Sequence, residues 1–191
     1  MSKSYYIMLA DPPWAGPTAE LIEGPDFHVN DGVMIEETDN IFNIKLKVDE
    51  KGDPKDFPPC DIHGPTRNLL FSKKLIQVLN GCGVDNIQYF DANVTYEPTG
   101  EKVDYKVANV IGAISGVDFD KSDLLLTRKG NVLGIEQLVF DESKFEGQKI
   151  CRLKEGIMLL VVHKSIKEAI EAASLTGFMF VSDDEYCPSM L

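Results

Sequence analysis

Phe90, Ala92, Val94 and Tyr96 alternate with Asp91, Asn93 and Thr95, and Pro98-Thr99-Gly100 separates them from a second alternating run at Val103, Tyr105 and Val107. No other stretch limits the fold as strongly. Period-two alternation puts every second side chain on one face of a strand, and a Pro/Gly turn between two such runs folds them into a β-hairpin. The pattern slips by one residue at Ala108-Asn109, where Val110 and Ile111 take over. A β-bulge, with its one unpaired residue, is expected there. Phe42, Ile44, Leu46 and Val48 alternate in the same way with Asn43, Lys45 and Lys47. This predicts another strand with one wet face and, together with the hairpin, a mainly antiparallel sheet.

Two helices are spelled out by caps and periodicity. Ser72 precedes Leu75, Ile76, Leu79 and Cys82, which share one helical face, and Gly81 and Gly83 supply a stop. Ser165-Ile166-Lys167-Glu168 has capping-box spacing ahead of a face made by Ile166, Ala169, Ile170 and Ala173. Gly177 is the expected left-handed residue ending that helix. The order around each helix is the same. Leu69-Leu70-Phe71, helix, glycine and a strand from Ile87 to Phe90 are matched by Leu160-Val161-Val162, helix, glycine and a strand from Phe178 to Val181. Such a repeat is either a duplicated half or a coincidence of common architecture.

Tyr5 to Ala10 reads as a short buried strand, and the Pro and Gly residues from Pro12 through Gly24 and Pro25 predict a loop. Asp49 to Pro65 carries Pro54, Pro58, Pro59 and Pro65 among charges, which predicts a long surface loop. The expected fold is α+β, a mainly antiparallel sheet with two short covering helices. With 191 residues, of which 43% are hydrophobic, the chain suits a single domain over 1–191, residues 1–64 being its N-terminal strand and loop region.

Charge narrows the partners. The 19 Lys plus Arg face 31 Asp plus Glu, a net charge of −12, which repels nucleic-acid phosphates and steers a basic protein toward the surface. Cys60, Cys82, Cys151 and Cys187 form no Cys-x-x-Cys pair, so neither a redox motif nor a zinc ribbon is present and free thiols are expected. The apolar run at Tyr5 to Ala10 is too short for a leader or a membrane span, so the expected compartment is the cytoplasm.

Four segments carry residues of candidate chemistry. Asp11-Pro12-Pro13-Trp14, directly after an apolar strand, is similar to the catalytic motif of adenine N6-methyltransferases. That resemblance implies an amino-group acceptor at Asp11, a backbone fixed by the prolines and a stacking ring at Trp14. Such an enzyme also needs a glycine-bearing turn that opens a helix after a parallel strand. Gly81-Cys82-Gly83 closes a helix instead, and Gly112 to Gly116 leads into no helical period. Trp14 is then better expected as a core anchor. Cys60 and His63 are two soft ligands, but tetrahedral zinc requires four converging groups, and only His28, His163 and distant cysteines remain. His163 is expected to be structural. The acid clusters Asp118, Asp120 and Asp123, and Asp183, Asp184 and Glu185, lack the spacing of a calcium loop and are expected to be solvated, with partner recognition as their second role. No Gly-x-Ser-x-Gly elbow occurs. No catalytic residue, cofactor or metal is therefore expected.

Ile135-Glu136-Gln137-Leu138-Val139-Phe140-Asp141, Cys151-Arg152-Leu153, Leu160-Val161-Val162 and Leu175-Thr176-Gly177-Phe178 together resemble the bacterial polymorphic-toxin immunity proteins of the Myxococcus-type immunity domain. The likeness spans about residues 65 to 182. It implies a non-catalytic binder that neutralises a cognate toxin, with its specificity in surface loops. A basic toxin is the electrostatic match for the charge of −12. A non-catalytic scaffold is the remaining alternative. Arg152, set between apolar residues, is expected to be a structural anchor that must find carboxylate or carbonyl partners if buried.

Overall fold

The computed structural model describes residues 3–10, 16–25, 27, 29–36, 41–48, 53–64 and 69–190. The chain forms β1 (Tyr5–Ala10), β2 (Thr18–Glu23), β3 (Phe42–Lys47), β4 (Ile62–His63) and β5 (Leu70–Ser72), then helix α1 (Lys73–Gly81). Strands β6 (Ile87–Tyr96), β7 (Glu101–Val103), β8 (Tyr105–Val110), β9 (Ala113–Ile114), β10 (Asp123–Leu126) and β11 (Val132–Gln137) follow. Last come β12 (Ile150–Leu153), β13 (Gly156–His163), helix α2 (Lys164–Ala172) and β14 (Phe178–Val181).

One sheet has the order β14-β1-β13-β12-β9 and the other β2-β3-β6-β8-β5-β4, with β7 also on β6, while β10 and β11 form a separate ribbon. The fold is α+β with two nine-residue helices among the described residues, but both large sheets are mixed, because β3 runs parallel to β6 and β9 parallel to β12. The expectation of a mainly antiparallel sheet holds only in part. At β3 the alternation is real: Phe42, Ile44 and Leu46 are buried and the residues between them are not. Alternation reports which face is wet and is blind to the direction of the neighbour.

The hairpin forms as expected, with Val94 opposite Val103 and Phe90 opposite Val107. The bulge does not. Pairing stays in step from Asp91–Lys106 to Ile87–Val110. The slip in the pattern marks a strand that becomes buried on both faces: Tyr105 and Val107 enter one core cluster, Ala108 and Val110 another.

Two expected loops contain strands. Thr18–Glu23 pairs along β3, yet nearly all of its side chains are exposed, so hydrophobic periodicity had nothing to record. Ile62–His63 pairs with β5 and is buried. The helix caps divide similarly. Ser72 accepts a hydrogen bond from Leu75 N at 3.1 Å, as its spacing implies. Ser165 lies inside α2 rather than before it, and His163, extended at φ −69 and ψ 149, caps the helix by accepting from Ser165 N. The helix ends at Ala173 and Ser174, the latter at φ 53. Gly177, at φ +88, serves a different need, since a Cβ there would lie 2.6 Å from Cys60 Cβ.

The repeated strand–helix–glycine–strand order has one topology. β5 and β6 flank β8 and are both antiparallel to it, with α1 crossing between them. β13 and β14 flank β1 likewise, with α2 crossing. The helices share one cluster, in which Leu75, Leu79, Ile166 and Ile170 meet Met8, Leu160 and Val162 of one sheet and Phe71, Ala108 and Val110 of the other. On the far face of the first sheet, Val117, Leu138, Phe140 and Phe145 cover Ile7, Leu9 and Val161. On the far face of the second, Phe27, Val29 and Ile35 pack with Phe42, Phe90 and Val107.

Candidate partner-binding surface

The two acidic segments meet at one place. Asp118 N donates to Val139 O at 2.8 Å, and the next residue, Phe140, donates its N–H to Asp183 Oδ2 at 2.8 Å. Their roles differ. Asp183 is 2% exposed and is also ion-paired with Lys3, so it anchors the Phe140 backbone from inside. The Lys121 ammonium, 2.6 Å away, holds the Asp118 carboxyl below the usual range. Glu185 accepts from Ser182 N, and the Ser182 hydroxyl holds Asp184 low. Asp120, Asp123, Asp184 and Glu185 are exposed.

The other sequence candidates are spent locally or lie elsewhere. Asp11 to Trp14 and His28 fall outside the described residues. His63 is buried at 4% exposure, its Nε2 accepting from Cys60 N at 3.0 Å and its Nδ1 3.1 Å from Pro17 O. Burial pushes its pKa down to about 4. The ring is therefore a neutral tie between the Cys60–His63 segment and Pro17, with both nitrogens engaged. Among the described residues no group of three or more His, Cys, Asp or Glu is placed to hold a metal. No helix among them is long and apolar enough to cross a membrane.

Sequence reasoning passed over the exposed apolar side chains. Leu125 and Leu133 stand out on the ribbon at 57% and 66% exposure, and Val33 and Met34 at 59% and 70%. Val33 and Met34 occupy a stretch without strand or helix, where no periodicity flags them. The only local signal was Asp31-Gly32 followed by three apolar residues and Glu36.

The backbone beneath Val33 and Met34 is fixed by both sheets. Gln88 of β6 accepts from Ile35 N at 3.1 Å and donates to Ile35 O at 2.7 Å. Asn109 of β8 donates to Val33 O at 2.8 Å, and Gly112 N donates to Gly32 O at 2.8 Å. From β12, Arg152 donates to Asn30 Oδ1 at 3.2 Å and to Ile157 O at 2.9 Å. Arg152 is 2% exposed, and this carbonyl and amide pairing is the anchoring its sequence context implied. Burial lowers its pKa to about 10, against the opposing effect of Asp31. Gly32, at φ +70, lets the chain turn where a Cβ would sit 3.5 Å from Ala113 Cβ.

A surface with ordered apolar points among exposed carboxylates is suited to gripping another protein. No curated protein sequence matches the chain. The model of the Imm11 immunity protein family matches residues 10–183, extending the likeness well beyond the 65 to 182 region into the N-terminal strands, and the chain belongs to that family.

Proposed function

We propose that this protein neutralises a cognate bacterial toxin by binding it in the cytoplasm, with residues 1–191 acting as one domain and no reactive centre of its own. The observation that carries the proposal is the meeting of two acidic segments, distant in sequence, on either side of Val139–Phe140. Asp120, Asp123, Asp184 and Glu185 are the exposed carboxylates of those two segments. Added to a net charge of −12, this favours a basic toxin and speeds its approach. Nucleic acid is disfavoured by the same field.

Co-expression with the product of the neighbouring reading frame tests the role. Restored growth is the expected result, and continued killing with both proteins present counts against it. For the electrostatic part, the association rate with that product should fall at least tenfold between 50 and 500 mM salt, on the order of the loss expected when steering is screened. A rate unmoved by salt removes the basic partner.

A further inference from the structure

We infer that the loop Asp31–Glu36 is the apolar anchor of the toxin interface, with Val33 and Met34 entering a hollow on a basic protein. This rests on the immunity role proposed above.

Exposed apolar residues on a mobile loop are weak anchors, because binding must first order them. This loop is ordered in advance. Four carbonyl or N–H groups between Gly32 and Ile35 are held by Gln88, Asn109 and Gly112, and Arg152 holds Asn30 just before them. The arrangement is costly. Asn109 is 0% exposed and its Oδ1 has no hydrogen-bond partner among the described residues, nor has Nε of the buried Arg152. Unsatisfied buried polar atoms disfavour the fold, yet two sheets supply such groups to one segment whose tip faces water. A fold selected for its own stability alone gains little by holding Val33 and Met34 out of the core; a surface that captures a partner gains a preformed hot spot.

Charge selects the occupant. Asp31 and Glu36 are exposed on either side of the apolar tip, so the complementary site is an apolar hollow rimmed by Lys or Arg. A second copy of this chain, itself at −12, is repelled. The loop also lies within reach of the acidic region. Gly32 O accepts from Gly112 N, and Asp118 is at most about 22 Å further along an extended chain. An interface of standard size, roughly 30 Å across, spans both.

The test uses the full-length protein and an inactive form of the neighbouring reading frame's product as the probe. Val33→Ser with Met34→Ser should weaken binding at least 30-fold, mainly through faster dissociation, and leave the thermal midpoint within a degree or two because both side chains are already exposed. Gln88→Ala keeps both anchors but frees Ile35, and should weaken binding about tenfold while amide exchange at 33–35 accelerates. If the wild type binds and protects while the double variant binds within threefold of it, the loop is not the anchor and the immunity role stands. If the wild type neither binds nor protects, the immunity role falls and the anchor with it.

Discussion

The side-chain amide of Gln88 grips the backbone of Ile35 at both ends, accepting its N–H at 3.1 Å and donating to its carbonyl at 2.7 Å. A strand side chain thereby bonds the loop as a neighbouring strand would, but over the face of the sheet that carries Phe90. Gln88→Leu removes both bonds and leaves two backbone groups to find water. The expected cost is about 1–2 kcal/mol in urea unfolding, with loss of exchange protection at the Ile35 amide. Unchanged protection there would show that the loop is held by other means.

Arg152 is the largest fully buried side chain among the described residues. Arg152→Ala opens a cavity and removes the donors to Asn30 Oδ1 and the Ile157 carbonyl, for an expected loss of about 3–5 kcal/mol. Arg152→Met refills the space without the charge and should recover at least half of that loss, since a buried guanidinium carries its own desolvation penalty. The comparison is made by equilibrium denaturation of both variants. Equal losses would mean that the polar bonds, not the volume, carry the site.

His63 makes the fold sensitive to acid. Its pKa falls from 6.5 to about 4 on burial, so between these values the unfolded chain binds a proton that the folded chain refuses. Stability contributed by the neutral ring is complete above about pH 6.5 and is lost as pH falls toward 4. The drop from this residue is on the order of 3 kcal/mol. His63→Gln should be less stable at pH 7 but should lose less between pH 6.5 and 4 than the wild type. Parallel stability curves for the two proteins would contradict the assignment.

Gly116 lies against Phe145, whose ring atoms a Cβ would meet at 2.0, 2.6 and 2.7 Å. The ring cannot easily yield, being 0% exposed and 5.0 Å from Tyr5 and 5.2 Å from Phe140 between ring centroids. Gly116→Ala should cost about 2–3 kcal/mol by overpacking. Gly116→Ala with Phe145→Leu should regain part of it, as a double-mutant cycle would show.

How much of this was legible follows from what each signal encodes. The alternation of Phe42 to Leu46 and of Phe90 to Val107, and the caps at Ser72, are local patterns, and the structure places strands and a cap there. Pairing direction at β3–β6 is a relation between segments that neither segment records alone. β2 stayed hidden because an exposed edge strand is held by backbone bonds and buries little. Gln88 and Asn109 were hidden for a related reason. Polar residues in a strand look like a wet face, and only the tertiary fold reveals that a loop has replaced the water. Asp183 shows the converse, an acid in a charged run that turned out to be buried.

β1 lies between β13 and β14, with Tyr5 opposite His163 and Ile7 opposite Val181. While the chain is being translated, Tyr5 to Ala10 emerges with neither neighbour yet made, and at roughly 5–20 residues per second the wait is on the order of ten seconds. The first sheet can close only once the last strands have appeared. A chain interrupted before Phe178 would leave β1 with one edge unpaired.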